Sequence, residues 1–385
     1  DAHGAIKWLG TLVICITLSL LPQQAPAQEK EPVLTLEESI QLALERNLEV
    51  QVAKEEIQFA RQGKNRARTG FLPKLTAQYD YRRLSENSTT VGGVSTENAD
   101  QDQYRFTGTV AQPIFTGLET LSNYQLSKLG LDVAQIQLQR TRLDLILAVK
   151  ESYFEILRAE KISQVAEQSV RQLQEGVRVA QNFVQVGMRP KVDVLDAETR
   201  LGEAELQQIV ANNDIGVAKA RFNTVLRQPI DTAVAVVDVL TTDSYERSYE
   251  SSQQIALQHR PELLEANKNV AIAEKEITLV KSDYYPDISL SANYYRRGDD
   301  PTVDGSDYVD RENWDVVAGA TWTFFEWGKT RYATNQQRAR LRQAKESLEQ
   351  IKDSILLEVK TAFLSVQAAE QGIRVAAKSV ESAEE

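Results

Sequence analysis

Few side chains in this sequence are placed to do chemistry, and the clearest group lies in the segment VGMRPKVDVLDAETRL at 186–201. There, a Gly and a Pro interrupt a helical pattern, and Asp193 and Asp196 follow at a spacing of about one helical turn. Carboxylates in the first turn of a helix are stabilised by the helix dipole, so one interpretation is local stabilisation by solvent-exposed acids. The alternative is an acidic site that attracts cations and repels anions.

The remaining reactive side chains argue against catalytic or metal chemistry. The chain has one Cys and two His, and both Cys15 and His3 fall in an N-terminal stretch interpreted below as a leader. A lone His259 without Cys forms neither a zinc cluster nor a Cys–His nucleophile pair, so we interpret it as a surface residue. No phosphate-binding glycine motif is present, and carboxylate pairs such as Glu37-Glu38 are typical of solvated helix faces. The sequence therefore predicts a non-enzyme without metal or cofactor.

The composition and the first residues predict an exported protein. A net charge of −11 without a basic block argues against nucleic-acid binding. Lys7 precedes an apolar run at 9–21, and the small-residue sequence APA at 25–27 matches a cleavage site. Because this run is shorter than the ~20 residues of a spanning helix, we predict a signal peptide at 1–27, with an uncleaved or lipidated anchor as the alternative.

An internal repeat organises the rest of the chain. The stretch 39–83 aligns with 252–296 almost without gaps, with Pro73 matching Pro286 and Tyr81 matching Tyr294. The first copy continues well beyond its match to the end of the second copy, so we expect the second copy to be incomplete and to lack its hairpin tip. The predicted units are a first repeat at 28–229, a linker at 230–249 and an incomplete second repeat at 250–385.

Each copy is predicted to contain a helix, two strands and a long helix, and the first copy a further helix. Thr35 and Glu38 form a capping box at the first helix start. The predicted helices are 35–70, 117–186, 190–227, 252–282 and 328–385. The predicted strands are 73–84, 103–115, 286–297 and 313–325, and the polar segment between the first two is predicted to be a flexible loop.

The predicted strands each have one apolar and one polar face and about ten residues, which is typical of outer-membrane barrel strands. Tyr and Trp near the strand ends are typical of membrane interfaces. Open sheet edges are not tolerated in lipid, so several chains must share one barrel: a dimer would supply eight strands and a trimer twelve. A soluble two-sided sheet is the alternative. The predicted lipid-facing residues are Leu75, Tyr79, Tyr81, Phe106, Leu290, Tyr294, Trp314 and Trp322.

The predicted helices are longer than those of most globular proteins. The helix at 117–186 contains no Pro and would span about 105 Å. Apolar residues from Ile162 to Val184 recur at steps of three and four, close to a coiled-coil seam. The helices before the strands and after the bend would together match the long helix, about 110 Å. We therefore expect a rod or tube with no compact core.

From about Leu34 to its end, the chain resembles the TolC family of outer-membrane efflux channels. The resemblance rests on LTLEESIQLALERN, FLPKL, QPIFTG and VGMRPKVDVLDAETRL, in that order within a duplicated chain. TFFEWGKTR at 323–331 departs from the pattern, because Glu-Trp replaces the usual Asp-Gly. The resemblance implies a mixed α+β membrane protein, in which a homotrimer shares a twelve-stranded outer-membrane β-barrel continued by a long periplasmic α-helical barrel.

The same resemblance implies a function and partners. A periplasmic adaptor (membrane fusion) protein docks on the tunnel tip and links it to an inner-membrane pump of the RND or ABC type, and the tunnel is a passive exit duct for small molecules. Drug efflux and protein secretion use the same architecture, so the cargo stays open. A trimeric coiled-coil structural or adhesin-like surface protein is the alternative, which the duplication and the modest surface loops disfavour.

The bend that contains the two aspartates becomes the periplasmic tip in this interpretation. In a trimer, Asp193 and Asp196 would recur about the axis and form a candidate gate or acidic ring. In well-known family members the constriction aspartates lie in the second copy, so the alternative places these two in an outer coil, with Arg189 in a salt bridge that latches neighbouring helices. The candidate adaptor-docking residues, for which an ordinary hairpin turn is the alternative, are Val186, Gly187, Met188, Arg189 and Pro190.

Overall fold

The computed structural model describes residues 33–86, 88–91, 94–97, 99–241 and 245–384, so the predicted signal peptide lies outside the described residues. The helices are α1 (Leu36–Arg46), α2 (Leu48–Thr69), α3 (Glu119–Gln185), α4 (Lys191–Val225), α5 (Tyr249–His259), α6 (Pro261–Val280) and α7 (Lys329–Glu384). The strands are β1 (Val33–Leu34), β2 (Lys74–Arg83), β3 (Ser88–Val91), β4 (Val94–Glu97), β5 (Asp102–Thr116), β6 (Ala235–Val236), β7 (Asp287–Gly298) and β8 (Glu312–Thr321). A 3-10 turn at Lys281–Tyr284 precedes β7.

The helix predicted at 35–70 is divided at Asn47, and the helix predicted at 252–282 is divided at Arg260. Both residues have extended backbone, with ψ of 131° and 122°. The Asn47 side chain caps α2 by accepting hydrogen bonds from two backbone N–H groups, at 2.8 and 3.3 Å. Pro261 disfavours helical conformation in the residue before it, so α6 begins at the proline. The capping box of Thr35 and Glu38 at the start of α1 is confirmed.

The main sheet is antiparallel, with the strand order β2–β5–β7–β8. Its register shifts between Pro113 and Phe115, where the longest strand, β5, changes pairing with β7. β8 ends at Thr321, short of its predicted end. Within the segment predicted as a flexible loop, β3 and β4 form a two-stranded pair, because their Thr and Val residues favour extended structure.

The helices form an elongated layer beyond the sheet. α3 has 67 residues and spans about 100 Å, whereas α1, α2 and α4 have 11, 22 and 35 residues. α1 and α2 pack on α3, as does α4, while α5 and α6 pack on α7. Within the described ranges, no helix combines the length and the apolar character that membrane spanning requires.

Twelve buried apolar residues of the described ranges form one cluster at the middle of α3, which differs from the expected rod without a compact core. Other buried apolar residues, such as Leu131 and Val170, lie elsewhere along α3. The chain segment after α4 causes this difference, because it returns to α3 and pairs β6 in parallel with β1. At its centre, Tyr153 and Phe222 are fully buried, with ring centroids 6.0 Å apart. The cluster consists of Ala43, Val50, Leu145, Val149, Tyr153, Ile156, Leu157, Ala159, Ala218, Phe222, Leu226 and Val234.

Candidate functional site

The bend between α3 and α4 is closed by backbone hydrogen bonds around a left-handed glycine. Gly187 has φ of +73°, and its N–H donates to Val184 O at 3.0 Å. The next N–H, of Met188, donates to Phe183 O at 2.8 Å, which completes a Schellman motif. Pro190 is the N-cap of α4, one residue earlier than the first-turn position expected from the sequence. The bend is therefore a defined turn with Met188 at its apex.

The predicted docking residues Val186 to Pro190 are all exposed, and they form one end of the molecule. Met188 is 72% exposed, and the nearby Val192 and Leu195 are also exposed, so the turn and the start of α4 carry exposed apolar side chains. The side of α4 carries others, at Leu206, Ile209 and Val210. Exposed apolar side chains at a turn favour a protein contact over a solvated turn.

The charged residues of the tip contact their own hairpin. The guanidinium of Arg189 lies 5.6 Å from the centroid of the Phe183 ring on α3 and 3.8 Å from the carboxylate of Asp193. Such an exposed pair contributes little to stability. Asp193 is half-buried in the first turn of α4, and Asp196 is exposed one turn later. Within the single chain, Arg189 therefore pairs with Asp193 of its own hairpin, and the latch to neighbouring helices stays a prediction.

The structure places the predicted lipid-facing residues at the other end of α3, on one face of the sheet. Residues opposite one another in register share a face, as do residues two apart along a strand. Leu75 is 77% and Trp314 is 72% exposed in the single chain, so this face is apolar and uncovered. Trp322 lies one residue beyond β8, where a strand was predicted. The opposed pairs include Leu75–Val110, Tyr79–Phe106, Tyr81–Tyr104, Leu290–Ala318 and Tyr294–Trp314.

The opposite face carries a row of hydrogen-bonded polar side chains, whose pairing the sequence does not indicate. The Thr109 hydroxyl donates to Asn293 Oδ1 at 2.8 Å, and Asn293 Nδ2 donates to Asp315 Oδ1 at 2.7 Å. Thr76 lies opposite Thr109 and extends the row to β2. The period-two alternation assigns these positions to the polar face of the strands, but it does not show which of the side chains pair. One face thus suits lipid and the other suits water.

The strand-to-helix junctions are closely packed. Gly117 has φ of +58°, and a Cβ at this position would overlap the Ser282 carbonyl oxygen and lie 3.1 Å from Ser282 Cα. The ring of Phe115 lies 6.3 Å from that of Tyr285, edge to face. β5 therefore enters α3 against the chain that leads into β7, which fixes the sheet to the helical layer.

Most of the chain matches a known protein family, and its fold matches solved structures. Residues 39–226 and 253–385 match the family described as outer membrane efflux protein. The alkaline protease secretion protein AprF of Pseudomonas aeruginosa is 24% identical over 91% of this chain and 73% of its own length. The outer membrane efflux protein BepC of Brucella suis is 21% identical over 80% of this chain, which spans 64% of BepC. The outer membrane protein VceC of Vibrio cholerae has the same fold, with a TM-score of 0.76 and 16% identity over 91% of this chain and 83% of VceC.

Proposed function

The chain belongs to the outer membrane efflux protein family, and on that premise we propose that it is the outer-membrane channel of a tripartite efflux or type I secretion system. The observation that carries this proposal is the sheet with one apolar and one polar face, joined directly to the long helices α3, about 100 Å, and α7, about 84 Å. The apolar face contacts outer-membrane lipid, the polar face lines water, and the helices cross the periplasm. The protein is a passive duct without an enzymatic step.

The channel is a homotrimer that shares one barrel. A single sheet leaves the edges of β2 and β8 open, and unpaired edges are excluded from lipid. Three chains supply twelve strands and close the barrel, with Leu75, Tyr79 and Trp314 among its lipid-facing residues. The tandem repeat is supported by corresponding caps, since Thr35 and Ser248 begin equivalent helices.

The cargo is a small molecule released by an RND or ABC pump of the inner membrane. The likeness to AprF, whose name assigns it to alkaline protease secretion, favours a protein cargo as the second candidate. Both candidates use the same passive duct, because the pump selects the cargo. Single-channel recording of the purified protein in a planar bilayer tests the common element. Discrete conductance from an inserted oligomer supports the proposal, and an inserted oligomer without conductance contradicts it.

The tip at Val186–Pro190 docks a periplasmic adaptor protein. Its exposed Met188 and the ordered turn beneath it support this proposal. A photo-crosslinking amino acid at position 188 tests it in cells, with the similarly exposed position Leu206 on the side of α4 as a control. We expect an adduct with the adaptor from 188 and little from 206. Equal yields from both positions, or an adduct from 206 alone, would contradict docking at the tip.

Asp193 and Asp196 form an acidic ring at the tip when three copies surround one axis. The ring raises the local cation concentration and makes the channel cation-selective. The double variant Asp193→Asn and Asp196→Asn is compared with Asp214→Asn, which removes an exposed carboxylate elsewhere on α4. We expect the double variant to lower the ratio of cation to anion permeability and the control to leave it unchanged. Unchanged selectivity in the double variant would place these residues in an outer coil.

A further inference from the structure

The two strand-to-helix junctions of the chain repeat each other at the level of single hydrogen bonds. The side-chain amide of Gln112 donates to Phe71 O at 3.1 Å. The indole N–H of Trp322 donates to Tyr284 O at 3.2 Å. Gln112 and Trp322 both lie at the strand end that leads into a long helix, and Phe71 and Tyr284 both precede the outgoing strand. The bonds are therefore equivalent, although the donor residues differ.

The backbone gives the same correspondence independently. Gly117 and Leu118 have consecutive positive φ values of 58° and 75°, and Trp327 and Gly328 have 52° and 82°. Four residues separate Gln112 from the first of these pairs, and four separate Trp322 from the second. β8 is therefore the residue-by-residue equivalent of β5. Phe71 matches Tyr284, and each lies three residues before the start of its strand, so β2 is the equivalent of β7.

This equivalence supplies a template for the contact between copies. β5 and β7 pair within the chain, with Val110 opposite Ala292. Their equivalents β8 and β2 are the two open edges of the sheet, so they can meet only when they come from different copies. Transfer of the β5–β7 register to these edges places Ala320 of one copy opposite Tyr79 of the next.

We propose that β8 of one copy pairs antiparallel with β2 of the next in this register. The inference rests on the homotrimer proposed above and names the residues that form its subunit boundary. Under this register, the pairs across the boundary are Ala318–Tyr81, Ala320–Tyr79, Trp322–Ala77 and Glu326–Lys74.

Side-chain size supports this register over its neighbours. The pairs Ala318–Tyr81, Ala320–Tyr79 and Trp322–Ala77 on the apolar face each combine a small residue with a large aromatic one, which fills the face without overlap. A shift by two residues in one direction would set Trp322 against Tyr79, two large rings. The opposite shift would set Ala320 against Ala77, which leaves a gap.

Charge supports the register at the base of the sheet. Within the chain, Thr116 lies opposite Asp287. The equivalent residues across the boundary are Glu326 and Lys74, which have opposite charges. Phe325, 62% exposed in the single chain, then lies opposite Leu75, 77% exposed, so the boundary covers both. Phe115, the equivalent of Phe325, is already half-buried within the chain.

Cysteine pairs test the register in the full chain with Cys15 replaced by Ser. Opposed residues in antiparallel strands have Cα atoms about 4.5–5.5 Å apart, within disulfide range, whereas diagonal neighbours are about 7–8 Å apart. The in-register pair is Ala320→Cys with Tyr79→Cys. The off-register control is Ala320→Cys with Tyr81→Cys. The intrachain control is Val110→Cys with Ala292→Cys. These residues are opposite one another in the β5–β7 pairing from which the register is transferred.

On a denaturing, non-reducing gel, we expect the in-register pair to give covalent trimers, on the order of tenfold more than the off-register pair. The intrachain control should run as a monomer after oxidation. A second in-register pair is Thr321→Cys with Gln78→Cys, on the polar face. Opposed residues alternate between hydrogen-bonded and non-hydrogen-bonded pairs, so this pair is of the other kind than the first. It replaces the first pair if that variant does not assemble.

The possible failures are distinguishable. Trimers on a native gel with covalent links only from the off-register pair, or from none of the pairs, would overturn the register and leave the proposed trimer intact. A membrane-inserted protein that is monomeric on the native gel would overturn both. Preferential linkage by the in-register pairs supports both.

Discussion

Substitution of Gly117 by Ala should destabilise the protein much more than the same substitution at Gly187. Both residues have positive φ, +58° and +73°. Ala in this conformation costs about 1–2 kcal/mol at either position. The added Cβ has nothing within 4 Å at Gly187, but at Gly117 it overlaps the Ser282 carbonyl oxygen. Overpacking of this kind costs about 1–3 kcal/mol more, so we expect losses of about 2–5 kcal/mol for Gly117→Ala and about 1–2 kcal/mol for Gly187→Ala.

The comparison is best made on inactivation kinetics of the purified oligomer in detergent, because large membrane oligomers unfold irreversibly. The half-life of the oligomer at one elevated temperature is measured for both variants and the unsubstituted chain. The entropy that Ala removes from the unfolded chain is common to both substitutions and cancels in their difference. Equal half-lives for the two variants would refute the argument, because the steric overlap with Ser282 is the feature that distinguishes them.

Two further predictions concern the middle of the molecule. Tyr153→Phe removes a buried hydroxyl that shares its single proton between Val237 O at 2.8 Å and Leu34 O at 3.1 Å. We expect a loss of about 1–2 kcal/mol of stability, measured as a lower thermal transition temperature with unchanged helix content. Lys161, 2.8 Å from Asp238, holds the pKa of that carboxyl below its ordinary value. The stabilisation by this ion pair is therefore present above the ordinary pKa and is lost as the pH falls through the lowered pKa. In Asp238→Asn, the thermal transition temperature should therefore fall less steeply as the pH is lowered into the acid range. The prediction for Asp238 would be contradicted by an unchanged dependence of the transition temperature on acid pH. The prediction for Tyr153 would be contradicted by an unchanged transition temperature in Tyr153→Phe.

The sequence predicts those features that depend on periodicity or on a single residue type. Alternation along the strands identifies the face that carries Leu75 and Trp314, because side chains in a strand alternate regardless of the tertiary environment. Gly187 and Pro190 indicate the bend, because one favours a left-handed conformation and the other ends a helical pattern. The capping box at Thr35 is similarly a local signal.

The features that the sequence does not predict depend on contacts between distant segments or on balanced local preferences. The division at Asn47 interrupts an otherwise helical pattern, and only its side-chain capping of α2 shows why the helix stops there. The row from Thr109 through Asn293 to Asp315 requires the strand order, which a single sequence does not contain. The central cluster requires the return of the chain after α4, which the sequence presents only as a linker.

The lengths of the helices explain why the core lies at the centre and what this means for the tip. α1 and α2 cover one half of α3 and α4 covers the other, so the short helices end at the middle, where β1 and β6 cover the large buried side chains. Towards the tip, α4 instead buries the small residues Ala204 and Ala211, which lie seven apart. Each buried Ala removes much less apolar surface from water than a Leu or Phe, so separating the distal arms costs less than disrupting the centre. In the proposed channel, movement on adaptor docking is therefore expected in the distal arms, while the central cluster and the closely packed Gly117 junction hold the rest of the duct in place.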